Sequence, residues 1–220
     1  MRRVVVFDLD DTLYPERQYV ISGFRAVDHW LKEHRRCEGF FQEAIALSES
    51  GARGNIFDVA LERLGLEPTK PFVEDLVRVY REHPPTVGLY DDARWAIDFF
   101  RARGPLGLLT DGFLVAQQNK LAALNIAEAF QSVVFSDALG RDCWKPSPAP
   151  YRQVMSEIPG AASDYVYIAD NPKKDFIGAR ALGWATVQIA RPEGVYYREE
   201  VPPGYRADHV VSTLRQLEFL

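Results

Sequence analysis

Cysteine is scarce in this chain, two residues in 220, and Cys37 and Cys143 lie far apart with no CxxC spacing. That pattern excludes a disulfide-stapled framework and leaves two reduced thiols as the expectation. Histidine is nearly as rare. His29, His34, His83 and His209 are scattered, none beside a cysteine or another histidine at ligand spacing, which speaks against a zinc site. No block of basic residues occurs: 26 Lys and Arg face 31 Asp and Glu, for a net charge of −5, so no nucleic-acid surface is expected. No segment approaches the ~18 apolar residues that a membrane helix needs, and the opening MRRVVVFDLD turns acidic too early for a secretory signal. These absences together predict a cytoplasmic chain without a membrane or nucleic-acid partner.

What is present is ordinary for a globular protein. Hydrophobic residues make up 47% and charged residues 26%, enough for a sizeable core, and the length suits one domain or a core with an insertion. Residues 4–9 form a continuous β-branched and aromatic run, the pattern of a strand buried on both faces in a parallel sheet. The period then changes to helical. Val20, Phe24, Val27 and Leu31 recur on one face, then Phe41 and Ile45, then Phe57, Ala60 and Leu64, then Phe72, Leu76 and Val79. Gly39, Gly51, Gly54 and Pro68 punctuate these stretches, predicting about four helices and no strand.

After Pro84, Pro85 and Gly88 the alternation returns. A helix over about 91–103 leads to the strand PLGLLT, a helix over about 113–124 to SVVFSD, and a helix over about 148–158 to DYVYIAD. KKDFIGARALG precedes the strand ATVQIA, and HVVSTLRQLEFL reads as a last short strand and a closing helix. Such repeats predict an α/β fold, a Rossmann-like open parallel sheet with helices on both faces. The helical stretch interrupts it as an inserted domain. The core is then 1–13 and 88–220, and the insertion 14–87.

In such sheets ligands bind beyond the carboxyl ends of the strands. The first strand ends in Asp8, Asp10 and Asp11, the PLGLLT strand in Thr110-Asp111-Gly112, and the YVYIAD strand in Asp170, followed by Asp175. Clustered carboxylates raise one another's pKa or recruit a compensating charge, and a hard divalent cation supplies it economically. Taken singly, each stretch is equally well a helix cap at Asp8 or Asp11, or a turn at Asp170-Asn171-Pro172. Their shared sheet edge and their order favour a common site.

Asp8-Leu9-Asp10-Asp11-Thr12 resembles the first motif, D-x-D-x-T, of the haloacid dehalogenase (HAD) superfamily. Thr110-Asp111-Gly112 resembles the second, Lys145 in CWKPSPAPY the third, and Asp170 with Asp175 the fourth. The insertion after the first motif is similar to the cap of the phosphatase-like branch, which closes over the core and disfavours macromolecular substrates. The resemblance implies a phosphoric monoester hydrolase with Asp8 as nucleophile and Asp10 as general acid and base. Thr110 and the amides of Asp111 and Gly112 would bind phosphoryl oxygens, and Lys145 would neutralise charge and hold Asp8. Mg²⁺ would be held by Asp8, the backbone carbonyl of Asp10 and, directly, Asp170, while Asp175 would bind it through water or position Lys145.

Within the superfamily, dehalogenases lack the second acid of the first motif. Asp10 therefore favours phosphate chemistry on a small-molecule ester, a sugar phosphate or a nucleoside monophosphate. A phosphomutase is the alternative, although mutase relatives usually carry D-x-D-G-V where this chain has Asp11-Thr12. A non-catalytic ligand binder is the third reading, and loss of Asp8, Asp10 or Lys145 would have pointed there. A glycine often precedes the motif threonine, where Asp11 stands here, and Asp111 replaces a more familiar asparagine. The expected assembly is a monomer or homodimer.

GARGNIF at 51–57 lacks the Gly-Lys-Ser/Thr of a P-loop and reads as a turn, although the resemblance would let Arg53 face an anion. Tyr19, Phe24 and Trp30 read as helical core. Lys173 and Lys174 lie near the expected edge, either attracting phosphate or opening a solvated helix. Cys143 reads as packing, and Tyr196, Tyr197 and Tyr205 as a surface loop or a dimer contact.

Overall fold

The computed structural model describes residues 3–218, which divide into two compact units. One runs up to Glu16 and resumes at Gly88; the other is Arg17–Val87. The second holds helices α1 (Glu16–Arg35), α2 (Phe40–Glu49), α3 (Ile56–Arg63) and α4 (Lys70–Glu82). In its core Phe24, Val27, Leu31, Ala60 and Leu76 are buried as their period predicts, whereas α2 buries Phe40, Ala44 and Leu47 in place of Phe41 and Ile45, which are only partly buried, with Phe57 and Trp30 packed on the cluster. Tyr19 is buried too, edge-on to Tyr80 at 5.4 Å, so the aromatic stripe is core. The 51–57 segment turns between α2 and α3, and Arg53 donates to the carbonyls of Ser48 and Ala52 beside it.

The other unit is a sheet of six strands: β1 (Val4–Phe7), β2 (Leu106–Thr110), β3 (Ser132–Phe135), β4 (Tyr165–Ala169), β5 (Ala185–Ile189) and β6 (His209–Val211). They lie in the order β3-β2-β1-β4-β5-β6, and every neighbouring pair is parallel. Helices α5 (Asp91–Arg101), α6 (Leu114–Leu124), α7 (Ala149–Glu157) and α8 (Asp175–Ala181) connect them. This is the expected α/β class with a helical insertion. All four side chains of β1 and all five of β2 and β4 are buried, which is why these runs carry no polar alternation.

The chain winds from β1 outward through β2 and β3, then returns to the other side of β1 for β4, β5 and β6. The order therefore reverses between β1 and β4, and the carboxyl end of that junction is the place where open sheets of this kind bind ligands. Buried tyrosines on β4 bring their hydroxyls to carbonyl partners: Tyr165 donates to Ile158 and Tyr167 to Leu109. Tyr165 also stacks on Trp184, centroids 4.6 Å apart, closing the lower core.

The closing segment departs from expectation. Leu214–Leu217 is a 3₁₀ turn, not an α-helix, with both leucines buried. Their spacing of three matches three residues per turn, and the Thr213 hydroxyl caps the Arg215 amide. Residues 219–220 of the expected helix lie outside the described residues. No helix among those described is long and apolar enough to cross a membrane.

Candidate active site

Strand register sets the site. Phe7 pairs with Leu108 on one side and Ile168 on the other. Asp8 follows Phe7 directly, while Thr110 and Asp170 stand two positions past those partners, so all three reach the same carboxyl edge. The Asp8 amide donates to the Ile168 carbonyl at 2.9 Å, holding the chain in strand geometry up to its side chain.

Lys145 stands at the centre. Its Nζ lies 2.7 Å from Asp8 Oδ1 and 2.7 Å from Asp175 Oδ1, and it donates to the Tyr167 hydroxyl at 2.9 Å. The lysine side chain is fully buried, as is that of Asp175. Burial opposes its charge, but Asp175 and Asp8 outweigh burial and hold the ammonium well above the usual lysine range. Burial likewise lifts the Asp8 carboxyl, against the pull of Lys145 and with repulsion from Asp175 added, to about 6. Asp175 is oriented from its own helix start: the Asn171 amide donates to its Oδ2 at 3.0 Å.

Asp10 faces a different set of partners. Lys120 of α6 donates to both of its oxygens, at 2.8 and 2.9 Å, and Gln117 donates to Oδ2 at 3.0 Å. The Tyr14 hydroxyl donates to Oδ1. Burial pushes the Asp10 carboxyl up, but the Lys120 charge and these hydrogen bonds bring it below the ordinary aspartate value. Gln117 also accepts from the Thr110 hydroxyl at 3.1 Å, so one amide links residues at the ends of two strands.

The two departures from the family pattern have local reasons. Asp11 sits at φ 49°, a left-handed conformation that glycine adopts freely and aspartate tolerates better than most residues. Its Oδ1 accepts the Glu16 amide at 2.8 Å, satisfying a first-turn donor of α1. Asp111 accepts the Lys145 backbone amide at 3.2 Å and the Lys174 ammonium at 3.0 Å. Burial raises its carboxyl, yet Lys145 and Lys174 hold it below the usual value. Gly112 has φ 133°, and a Cβ there would stand 2.4 Å from Gln117 Nε2, so a side chain is excluded twice.

Oxygens of Asp8, Asp170 and Asp175 all lie within 4.8 Å of one another. Burial, then Asp175 and Asp8, drive the Asp170 carboxyl well above the ordinary range. Lys145 sits within ion-pair distance of Asp8 and Asp175, and no cation does so for Asp170 among the described residues. Three hard oxygen donors against one lysine fit a divalent cation such as Mg²⁺. The Asp10 carboxylate stands outside this trio, engaged by α6. Its expected metal contact runs through the backbone carbonyl.

Lys120, Gln117, Tyr14 and Tyr167 were absent from the sequence-based site. A signal for the first existed: Lys120 falls on the same helical face as Ala116, Leu121 and Leu124, where a lysine needs a buried partner. Tyr167 likewise lies in a wholly buried strand, where its hydroxyl must find a polar group. Lys174 faces Asp111, whereas Lys173 pairs with Glu199. Cys143 is half-buried with a free thiol, and Tyr197 and Tyr205 are exposed.

A buried aspartate–lysine pair and an acidic trio thus lie together at the switch point of a parallel sheet. The chain belongs to the haloacid dehalogenase-like hydrolase family, which it matches over residues 2–183. It is 30% identical over 200 residues to the glyceraldehyde 3-phosphate phosphatase of Methanopyrus kandleri, covering 87% of this chain and 85% of that one. It is 32% identical over 152 residues to the phosphoserine phosphatase of Thermus thermophilus, covering 68% and 59%. Among solved structures it shares its fold with the magnesium-bound HAD-hydrolase YfnB of Bacillus subtilis, at a TM-score of 0.70 and 19% identity, covering 99% and 97%.

Proposed function

We propose that this protein is a Mg²⁺-dependent phosphatase of a small phosphate monoester and works through an aspartyl-phosphate on Asp8. The observation that carries the reading is the Lys145 ammonium, 2.7 Å from both Asp8 and Asp175, beside the Asp8–Asp170–Asp175 trio. Asp8 attacks phosphorus, and the bond to the leaving oxygen breaks; Asp10, ionised beside Lys120 in the structure, must first take up a proton to deliver it to that oxygen. Water then attacks the phosphoaspartate while Asp10 takes the water's proton, which frees phosphate and restores Asp8. Lys145 keeps the nucleophile oriented and offsets phosphoryl charge, and Thr110 with the amides of Asp111 and Gly112 binds phosphoryl oxygens. Mg²⁺, held by Asp8, Asp170, the Asp10 carbonyl and Asp175, supplies charge neutralisation and alignment when bound.

We read Arg17–Val87 as the cap domain and the remaining unit as the catalytic core. The relatives' names add a triose phosphate and a phosphoamino acid to the sugar phosphates and nucleoside monophosphates as substrate candidates. The test is phosphate release across a panel of these esters, with Mg²⁺ and with chelator, for the natural chain and Asp8→Asn. Release that needs Mg²⁺ and disappears in Asp8→Asn supports the reading. Release that persists in the variant, or silence across the panel from folded protein, overturns it.

A further inference from the structure

Asp10 is bound by more of α6 than its proposed chemistry requires. Gln117 and Lys120 stand one helical turn apart on the same helix, both only 3% exposed, and both end on this one carboxylate. Lys120 spans the two oxygens, Gln117 takes Oδ2 and Tyr14 takes Oδ1. Burying an ammonium and an amide is costly without polar partners, and the half-buried carboxylate of Asp10 serves both. Glu16 lies farther from the lysine, at 4.0 Å. The arrangement also depends on Gly112, whose missing Cβ leaves the space that the Gln117 amide occupies.

From this geometry we infer that Gln117 and Lys120 are positioning residues, which hold the Asp10 carboxylate oriented as the acceptor of the proton from water in the second half of the reaction. Lys120 takes a site on each oxygen, and Gln117 and Tyr14 one more each, so these donors fill about four lone-pair sites and the attacking water must take the place of one of them. Gln117 fixes the direction relative to the phosphate site, because its other end is bonded to Thr110. Lys120 fixes the tilt, because one ammonium reaches both oxygens. Neither residue touches the reacting atoms; both act through Asp10.

This inference rests on the aspartyl-phosphate reading, and the experiment separates the two. Stopped-flow turnover of p-nitrophenyl phosphate is measured for the natural chain, Lys120→Met and Gln117→Leu, with thermal unfolding recorded for each. Formation of the phosphoenzyme from this activated ester needs little proton donation, whereas its hydrolysis needs the base. In Lys120→Met, kcat is expected to fall about 10²-fold, the lower end of proton-transfer contributions, with KM falling alongside it. A p-nitrophenol burst matching the enzyme concentration then precedes the slow steady state. Gln117→Leu shows the same signature more weakly and carries the test if Lys120→Met does not fold. A kcat that falls with KM unchanged and without a burst, or that does not fall, overturns the inference. A natural chain that turns over neither this ester nor any of the panel overturns the phosphatase reading itself.

Discussion

Arg191 and Asp92 meet in a two-pronged ion pair, 3.0 and 3.2 Å long, across 99 positions of sequence. The same guanidinium donates to the Thr12 carbonyl at 2.9 Å and lies over the Tyr90 ring, 3.7 Å from its centroid. Asp92 in turn accepts the Thr213 hydroxyl and the Leu214 amide. The pair thus ties the backbone just after Asp8, Asp10 and Asp11 to the start of α5 and to the closing turn.

Removing one partner leaves the other buried and uncompensated. Asp92→Ala is expected to cost about 3 kcal/mol, or roughly 6–12 °C in Tm for a chain of this size. Burial lifts the Asp92 carboxyl, but the Arg191 hydrogen bonds, the Leu214 amide and the Arg191 charge hold it below its ordinary value. Its contribution is therefore present above the unfolded pKa of about 3.9 and is lost as pH falls through the lower folded value. The stability difference between the natural chain and Asp92→Asn, from denaturant titrations, should be flat from neutral pH to about 5 and shrink only below about 4. A difference that shrinks already at pH 6 contradicts the assignment.

Tyr167 offers a second test. Its hydroxyl accepts from Lys145 at 2.9 Å and donates to the Leu109 carbonyl at 3.2 Å. Tyr167→Phe keeps the packing, removes one of the ammonium's three partners and strips the carbonyl of its bond. Stability should drop by about 1–2 kcal/mol, and kcat by about tenfold as Lys145 loses one of the contacts that fix it. Steady-state kinetics beside thermal unfolding checks both; an unchanged kcat means that Asp8 and Asp175 suffice to place the lysine.

These contacts also show where the sequence was legible. The strands were readable because β1, β2 and β4 are buried along their whole length and so consist of unbroken apolar runs. Asp8, Thr110 and Asp170 were readable because each stands just at or past a strand end, and Lys145 and Asp175 because each belongs to a short motif in the segment that follows a strand. Lys120 and Gln117 sit inside AQQNKLAAL, where polar residues ordinarily mark a solvated helix face. Nothing local says that this face meets a carboxylate 107 and 110 positions away. Arg191 and Asp92 pair through tertiary placement alone, and the closing turn departs from helix where its leucines recur every three residues and the Thr213 hydroxyl and Leu214 amide are tied to Asp92.

Gly112 supplies a backbone test. At φ 133° an L side chain is strained, and its Cβ would approach Gln117 Nε2 to 2.4 Å. Gly112→Ala should destabilise by about 1–3 kcal/mol through strain and forced displacement. Because the displaced side chain is Gln117, kcat should fall as well. Unfolding and turnover measured together distinguish this from strain alone, which would lower stability and leave kcat untouched.

Asp111 is the acid that departs from the family's familiar asparagine, and its two contacts pull in different directions. Oδ1 accepts the Lys145 amide, while Oδ2 holds Lys174, whose side chain is about one-third exposed. Asp111→Asn can keep the first contact, but its amide then points a donor at the ammonium and releases it. Because that lysine is partly solvated, the stability cost should stay below about 1 kcal/mol. The larger effect is electrostatic: a negative charge leaves the neighbourhood of the proposed phosphate site, and a lysine is freed there. KM for the preferred ester should then fall about fivefold, the equivalent of ~1 kcal/mol, the interaction of unit charges about 4 Å apart in a water-like dielectric. Lys174→Ala removes the cation instead and should raise KM by a similar factor. The double variant should depart from additivity, since the two side chains touch. A KM that rises in Asp111→Asn would show that the aspartate serves to place Lys174 for substrate, not to hold it back.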